Sequence, residues 1–275
     1  MKFSPRFALP LLTCLALAMP AAADAGLMVY WDNDDAVDGK NNNPTGESTL
    51  EANIHNPVVS SANDSSFGLG AQPTPDGDTG FNTGNAITVD GVTMDGTIVV
   101  FTPNGATNDT IDEAISGNQY VEFSLTVGGL QPLQTLNLSE IGYGVDGNVT
   151  SGRHGPRLSQ AALRVGDNAF TSSDLIGSEL ALPSPGASVN TSIDSGLLTG
   201  LTNGDEVFLR IFMADNDNTG GGGAASSFHA STRLGSVYVL GDVATLVPEP
   251  SSVLLCAIGA LLMVGVGLAR RRKSK

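Results

Sequence analysis

Three short acidic stretches hold the side chains best suited to chemistry, and the chemistry they suggest is calcium coordination. Asp32-Asn33-Asp34-Asp35, with Asp38 following, places oxygens at alternating positions on a segment rich in turn formers. Calcium takes six to eight such oxygens. An EF-hand loop begun at Asp32 would need an acid or amide at position 36 and Glu at 43, where the chain has Ala36 and Asn43. Asp215-Asn216-Asp217-Asn218-Thr219-Gly220 opens such a loop better, but Ser226 stands where the closing Glu belongs. Asp76-Gly77-Asp78 is a third acidic turn. Two expectations follow for Asp32, Asp34, Asp215 and Asp217: a structural calcium site, or plain turn chemistry on an acidic, soluble surface.

A second grouping, Arg153-His154-Gly155-Pro156-Arg157, offers planar guanidinium forks to a sugar acid or a sulfate. Its plainer reading is a loop whose arginines pair with nearby acids. Sugar recognition also calls for an aromatic platform. Trp31 is the only Trp, and it adjoins Tyr30, so on a strand the two rings face opposite ways and one belongs to the core. Trp31, Arg153 and Arg157 are therefore the expected glycan contacts. Catalysis finds no foothold. His55, His154 and His229 are scattered without metalloprotease spacing, and the Gly220–Gly223 run leads into neither a nucleophile elbow nor a phosphate loop. The many acids allow a glycosidase pair without signalling one. The expectation is a protein that is not an enzyme, with no cofactor beyond the calcium option.

Charge and cysteine use point the same way. Of 13 Lys and Arg, two lie near the N-terminus and five at the C-terminus, leaving six in the body. Of 28 Asp and Glu, only Asp24 and Glu249 fall outside it, so the body is near −20. Such a polyanion is repelled by nucleic acid and by acidic headgroups. Both cysteines, Cys14 and Cys256, lie in apolar end segments, which leaves the body without disulfide or thiolate chemistry.

The ends read as targeting segments. Residues 1–25 form a signal peptide: Lys2 and Arg6 precede an apolar stretch, and Ala21, Ala23 and Ala25 supply the small residues for cleavage. Cleavage is expected after Ala25, with Ala23 the rival position. Cys14 follows Thr13 rather than a small lipobox residue, so it reads as part of the leader core. Residues 246–275 form the other end. Val247-Pro248-Glu249-Pro250 precedes an apolar run over 252–269 and a basic end over 270–275. The run is near the lower limit for crossing a bilayer. Arg270, Arg271, Arg272 and Lys273 would hold that end in the cytoplasm, with the body outside.

This three-part tail resembles the PEP-CTERM sorting signal of Gram-negative bacteria, a tail also labelled an ice-binding protein C-terminus. The resemblance implies recognition by the membrane protease exosortase, removal of the tail near Pro248–Pro250, and a body released or attached at the envelope. It also implies a link with extracellular polysaccharide and biofilm. No Thr-x-Thr ladder suited to an ice-matching face occurs in the chain.

Between the ends, periodicity is two. Val121, Phe123, Leu125 and Val127 alternate with polar neighbours, and Val207, Leu209, Ile211 and Met213 alternate with Phe208, Arg210 and Phe212. Further strands are expected at 27–31, 86–93, 97–102, 136–143, 161–165 and 236–240, with one short helix at 110–116. The fold class is all-β: residues 26–245 as an extracellular antiparallel two-sheet sandwich, jelly-roll-like. The body also resembles β-rich modules that often precede this tail, through Trp31-Asp32, Tyr120–Thr126, Leu163-Arg164 and the strand Gly235–Gly241. Gly235-Ser236 departs from the acidic pair that usually opens the last strand.

Overall fold

A computed structural model describes residues 25–32, 50–68, 72–74, 87–94, 97–102, 110–146, 158–181, 188–214 and 230–245. Fourteen strands occupy them: β1 (Gly26–Asp32), β2 (Glu51–Ile54), β3 (Val59–Phe67), β4 (Gln72–Thr74), β5 (Ile87–Val89), β6 (Val92–Met94), β7 (Thr97–Thr102), β8 (Tyr120–Val127), β9 (Gln134–Asp146), β10 (Leu158–Val165), β11 (Leu175–Ala181), β12 (Ser188–Ile193), β13 (Glu206–Ala214) and β14 (Ala230–Thr245). One sheet runs β12-β9-β14-β1-β2, with β7 also on β14 and β4 on β7; the other runs β11-β10-β13-β8-β3. All the pairings are antiparallel. The chain is an all-β sandwich.

Alternation explains the packing. Val121, Phe123, Leu125 and Val127 on β8, and Val207, Leu209, Ile211 and Met213 on β13, are all buried between the sheets. From the facing sheet they meet Val29, Trp31, Ile141, Tyr143, Val237 and Val239. The intervening residues are not simply solvated, because each sheet carries a cover on its far face. Over the five-stranded sheet, α1 (Ile111–Ser116) packs Ile111 and Ala114 with Phe170 and Phe212. A capping box starts this helix: Glu113 N–H donates to Thr110 Oγ1 at 3.3 Å, and Thr110 N–H donates to the Glu113 carboxylate at 3.1 Å. Over the other sheet, the β5–β6 pair lays Met94 on Leu27, Tyr30 and Tyr238.

That cover corrects two expectations. Residues 86–93 are not one strand but a hairpin, because Asp90 (φ 50°) and Gly91 (φ 79°) take the two left-handed positions of a tight turn. The Asp90 carboxylate then accepts from Leu27 N–H at 2.6 Å, tying the turn to β1. Tyr30 and Trp31 do face opposite ways, yet both are buried, at 7% and 1% exposure. A covered outer face makes room for a second apolar cluster.

Five strands escaped the periodicity: β2, β3, β4, β11 and β12. β2, β3, β11 and β12 are terminal strands of their sheets, with too few apolar residues in alternation to mark a buried face, and β3 reads Val-Ser-Ser-Ala-Asn-Asp-Ser-Ser-Phe. The segments expected as leader and sorting tail lie outside the described residues, apart from Ala25, which is exposed. Among the described residues no helix is long and apolar enough to cross a membrane.

Candidate functional site

The two long sides of the sandwich end differently, and the difference creates the site. At one side β2 and β3 lie across from each other; at the other, β11 and β12 are the terminal strands of their sheets. Between β11 and β12 runs a groove of about 510 Å³. Residues 175–180 and 191–196 all line it. Side chains alternate along a strand, so consecutive lining residues mean that each strand presents its edge, with backbone N–H and C=O groups, to the groove.

β11 is irregular along its pairing with β10. Ser159 pairs with Leu180 and Ala161 with Ile176, so Gly177, Ser178 and Glu179 bulge opposite the single residue Gln160. Gly177 sits at φ 63°, and Gln160 Nε2 donates to its carbonyl at 3.1 Å, holding the bulge. A Cβ on Gly177 would approach Ile193 Cγ1 at 3.0 Å, so the two edges touch there through glycine against isoleucine. Beneath lies the buried Tyr143. Burial pushes its hydroxyl above the ordinary value, while the neighbouring Ser159 hydroxyl works the other way.

Among the described residues the groove's polar lining consists of hydroxyls and two carboxylates, Glu179 and Asp194, without a cation. Ser178, Glu179, Ser192, Asp194 and Ser195 are exposed, and their side chains bond to no other described residue. Ile176 and Ile193 add apolar surface at the base. The arrangement can accept and donate many neutral hydrogen bonds around a small apolar floor. None of these residues stood out in the sequence, because being an edge is a property of the whole sheet.

The expected site residues fare differently. Trp31 is corrected as a glycan contact: it is buried between the sheets, 5.1 Å from the Phe123 ring, and its Nε1–H donates to the Asn63 carbonyl at 2.8 Å. A ring so enclosed offers no stacking face. Asp32 is also buried and accepts from Ser236 Oγ at 2.8 Å. Among the described residues no three His, Cys, Asp or Glu side chains gather as a metal site would require. Asp34, Asp215, Asp217, Arg153 and Arg157 lie outside the described residues, as do Ala23, the motif Val247-Pro248-Glu249-Pro250 and the basic run Arg270-Arg271-Arg272-Lys273.

Two arginines not singled out in the sequence are held by acids. Arg210 Nε donates to Glu122 at 2.7 Å while its guanidinium lies 3.7 Å from the Tyr120 ring centre and 4.5 Å from that of Phe170. Arg164 bridges Asp167 and Asp174. In Asp174, burial works to raise the carboxyl, but hydrogen bonds from the Thr171 backbone and hydroxyl, with the Arg164 charge, outweigh it and hold the group below its ordinary range.

No family model and no curated protein matches the chain. Among solved structures the chain is similar to a Stig cyclase from Fischerella sp. TAU, crystallised with (3Z)-3-(1-methyl-2-pyrrolidinylidene)-3H-indole. The identity is 9% and the TM-score 0.25, over 54% of this chain and 75% of that one. A likeness at that level carries no argument.

Proposed function

We propose that this chain is an exported surface or matrix protein, sorted and processed by exosortase, whose body is a structural or adhesive sandwich rather than an enzyme. The observation that carries the reading is the tail: Val247-Pro248-Glu249-Pro250, the apolar run 252–269 and Arg270-Arg271-Arg272-Lys273 in succession. Eighteen mostly apolar residues closed by cations are costly in water and fit a bilayer with the basic end inside. Cleavage at Ala25 or Ala23 and removal of the tail leave an acidic body within an envelope or biofilm rich in extracellular polysaccharide. Its partners before that are the secretion machinery, the membrane and exosortase. The strand order favours a jelly-roll: from β8 to β14, successive strands run in the two sheets by turns, apart from two same-sheet neighbours, β10 and β11.

Protease shaving of intact cells, followed by intact-mass measurement, tests the proposal. The body should be digested without lysis, and the recovered protein should begin after Ala23 or Ala25 and end near Pro248–Pro250. A body that resists protease until the cells are broken would overturn it.

A further inference from the structure

We infer that the groove between β11 and β12 is a binding subsite for an uncharged polyhydroxylated chain, a segment of a neutral polysaccharide. The inference rests on the export proposed above only in that such a chain is met outside the cell; the chemistry comes from the groove itself. Its volume of about 510 Å³ falls within the roughly 300–1,000 Å³ of ordinary small-ligand sites. Its walls offer serine and threonine hydroxyls and strand-edge backbone groups, which match the mixed donors and acceptors of sugar hydroxyls. Glu179 and Asp194 add acceptors. Ile176 and Ile193, buried in the core beneath, close the floor of the groove.

Two competing occupants are disfavoured by named features. An extended peptide adding to β11 would meet a strand bent by the Gly177–Glu179 bulge, and one adding to β12 would meet Gly177 already packed against Ile193. An acidic sugar polymer would meet two carboxylates and, among the described residues, no compensating cation in the groove.

The experiment uses the full chain in detergent micelles, titrated calorimetrically with hexasaccharides: a β-1,4-glucan, an α-1,6-glucan, a β-1,4-mannan and, as the acidic probe, hexagalacturonate. At least one neutral hexasaccharide should bind and the hexagalacturonate should not. Filling the groove by Ser178→Tyr or, independently, Thr191→Tyr should weaken the neutral ligand by about tenfold or more, with an unchanged circular-dichroism melt certifying each variant. Glu179→Gln with Asp194→Asn should let hexagalacturonate bind. Absence of binding by all three neutral probes, equal binding of hexagalacturonate to the unaltered protein, or full affinity in both correctly folded tyrosine variants would overturn the inference. Because purified protein is used, such a failure leaves the sorting proposal intact, and a failure of sorting leaves this one intact.

Discussion

Along β2 and β3 the two sheets are stitched together by hydrogen bonds, whereas along β11 and β12 they meet as glycine against isoleucine. Ser65 N–H donates to the Leu50 carbonyl at 2.9 Å, and Leu50 N–H returns a bond to Ser65 Oγ at 2.7 Å. Ala52 N–H reaches the Asp64 carboxylate at 3.0 Å, and the Trp31 indole reaches Asn63. On the opposite side, Gly177 lies against Ile193 and Gly196 near Ile176. The closed side commits its polar groups to internal partners, whereas the hydroxyls and carboxylates of the open side line the groove. Stability is therefore expected to concentrate on one side and binding on the other.

The largest test is Trp31→Ala. Truncating a fully buried indole should cost about 3–5 kcal/mol in urea denaturation followed by circular dichroism, and it leaves the Asn63 carbonyl without its donor. A cost near zero would end the claim that this side holds the sheets. Ser65→Ala comes next, at about 1–3 kcal/mol, because the N–H of the buried Leu50 loses its acceptor; amide exchange at Leu50 should quicken accordingly. On the open side, Gly177→Ala should cost about 1–2 kcal/mol from its left-handed backbone alone, with crowding of Ile193 in addition. Replacing Glu179 and Asp194 by their amides should change stability by no more than about 0.5 kcal/mol. If the amides cost as much as Ser65→Ala, the two sides do not divide the labour as described.

The smallest effects are in pH, and they belong to neither side. Tyr238 donates to Glu140 Oε1 at 2.5 Å, and burial first, then that carboxylate, pushes its hydroxyl well above the ordinary value. The folded state thus favours the protonated phenol. Its stabilisation is full below the unfolded value of about 10 and fades as pH rises through the higher folded one. Tyr238→Phe should flatten the alkaline slope. Asp174 has the opposite sign: its stabilisation is present above about pH 4 and is lost as pH falls through its depressed folded value. Asp174→Asn should flatten the acid slope, measured by thermal melts across pH.

The central strands were legible because burial on one face imprints a period of two, as in β8 and β13. The short helix was legible from Thr110 and Glu113. Edge strands such as β3 and β12 carry no such imprint, since neither face is continuously buried. The Asp90-Gly91 turn had a local signal that the flanking apolar run concealed. Burial of Tyr30 and the existence of the groove are non-local: the first needs a hairpin from residues 87–94 to arrive, and the second needs to know which strands end their sheets. The reading of the two ends rests on residue order and charge, for which no fold is needed.

β1 pairs with β14, so the first and last strands of the body are neighbours, from Gly26 with Gly241 to Trp31 with Val237. Neither can find its partner until nearly the whole chain has been made. Contacts of such high sequence separation slow folding, because a long loop must close before they repay it. A newly synthesised chain would remain threadable through a narrow translocation channel, and its seven-stranded sheet could close only once the last strand had emerged.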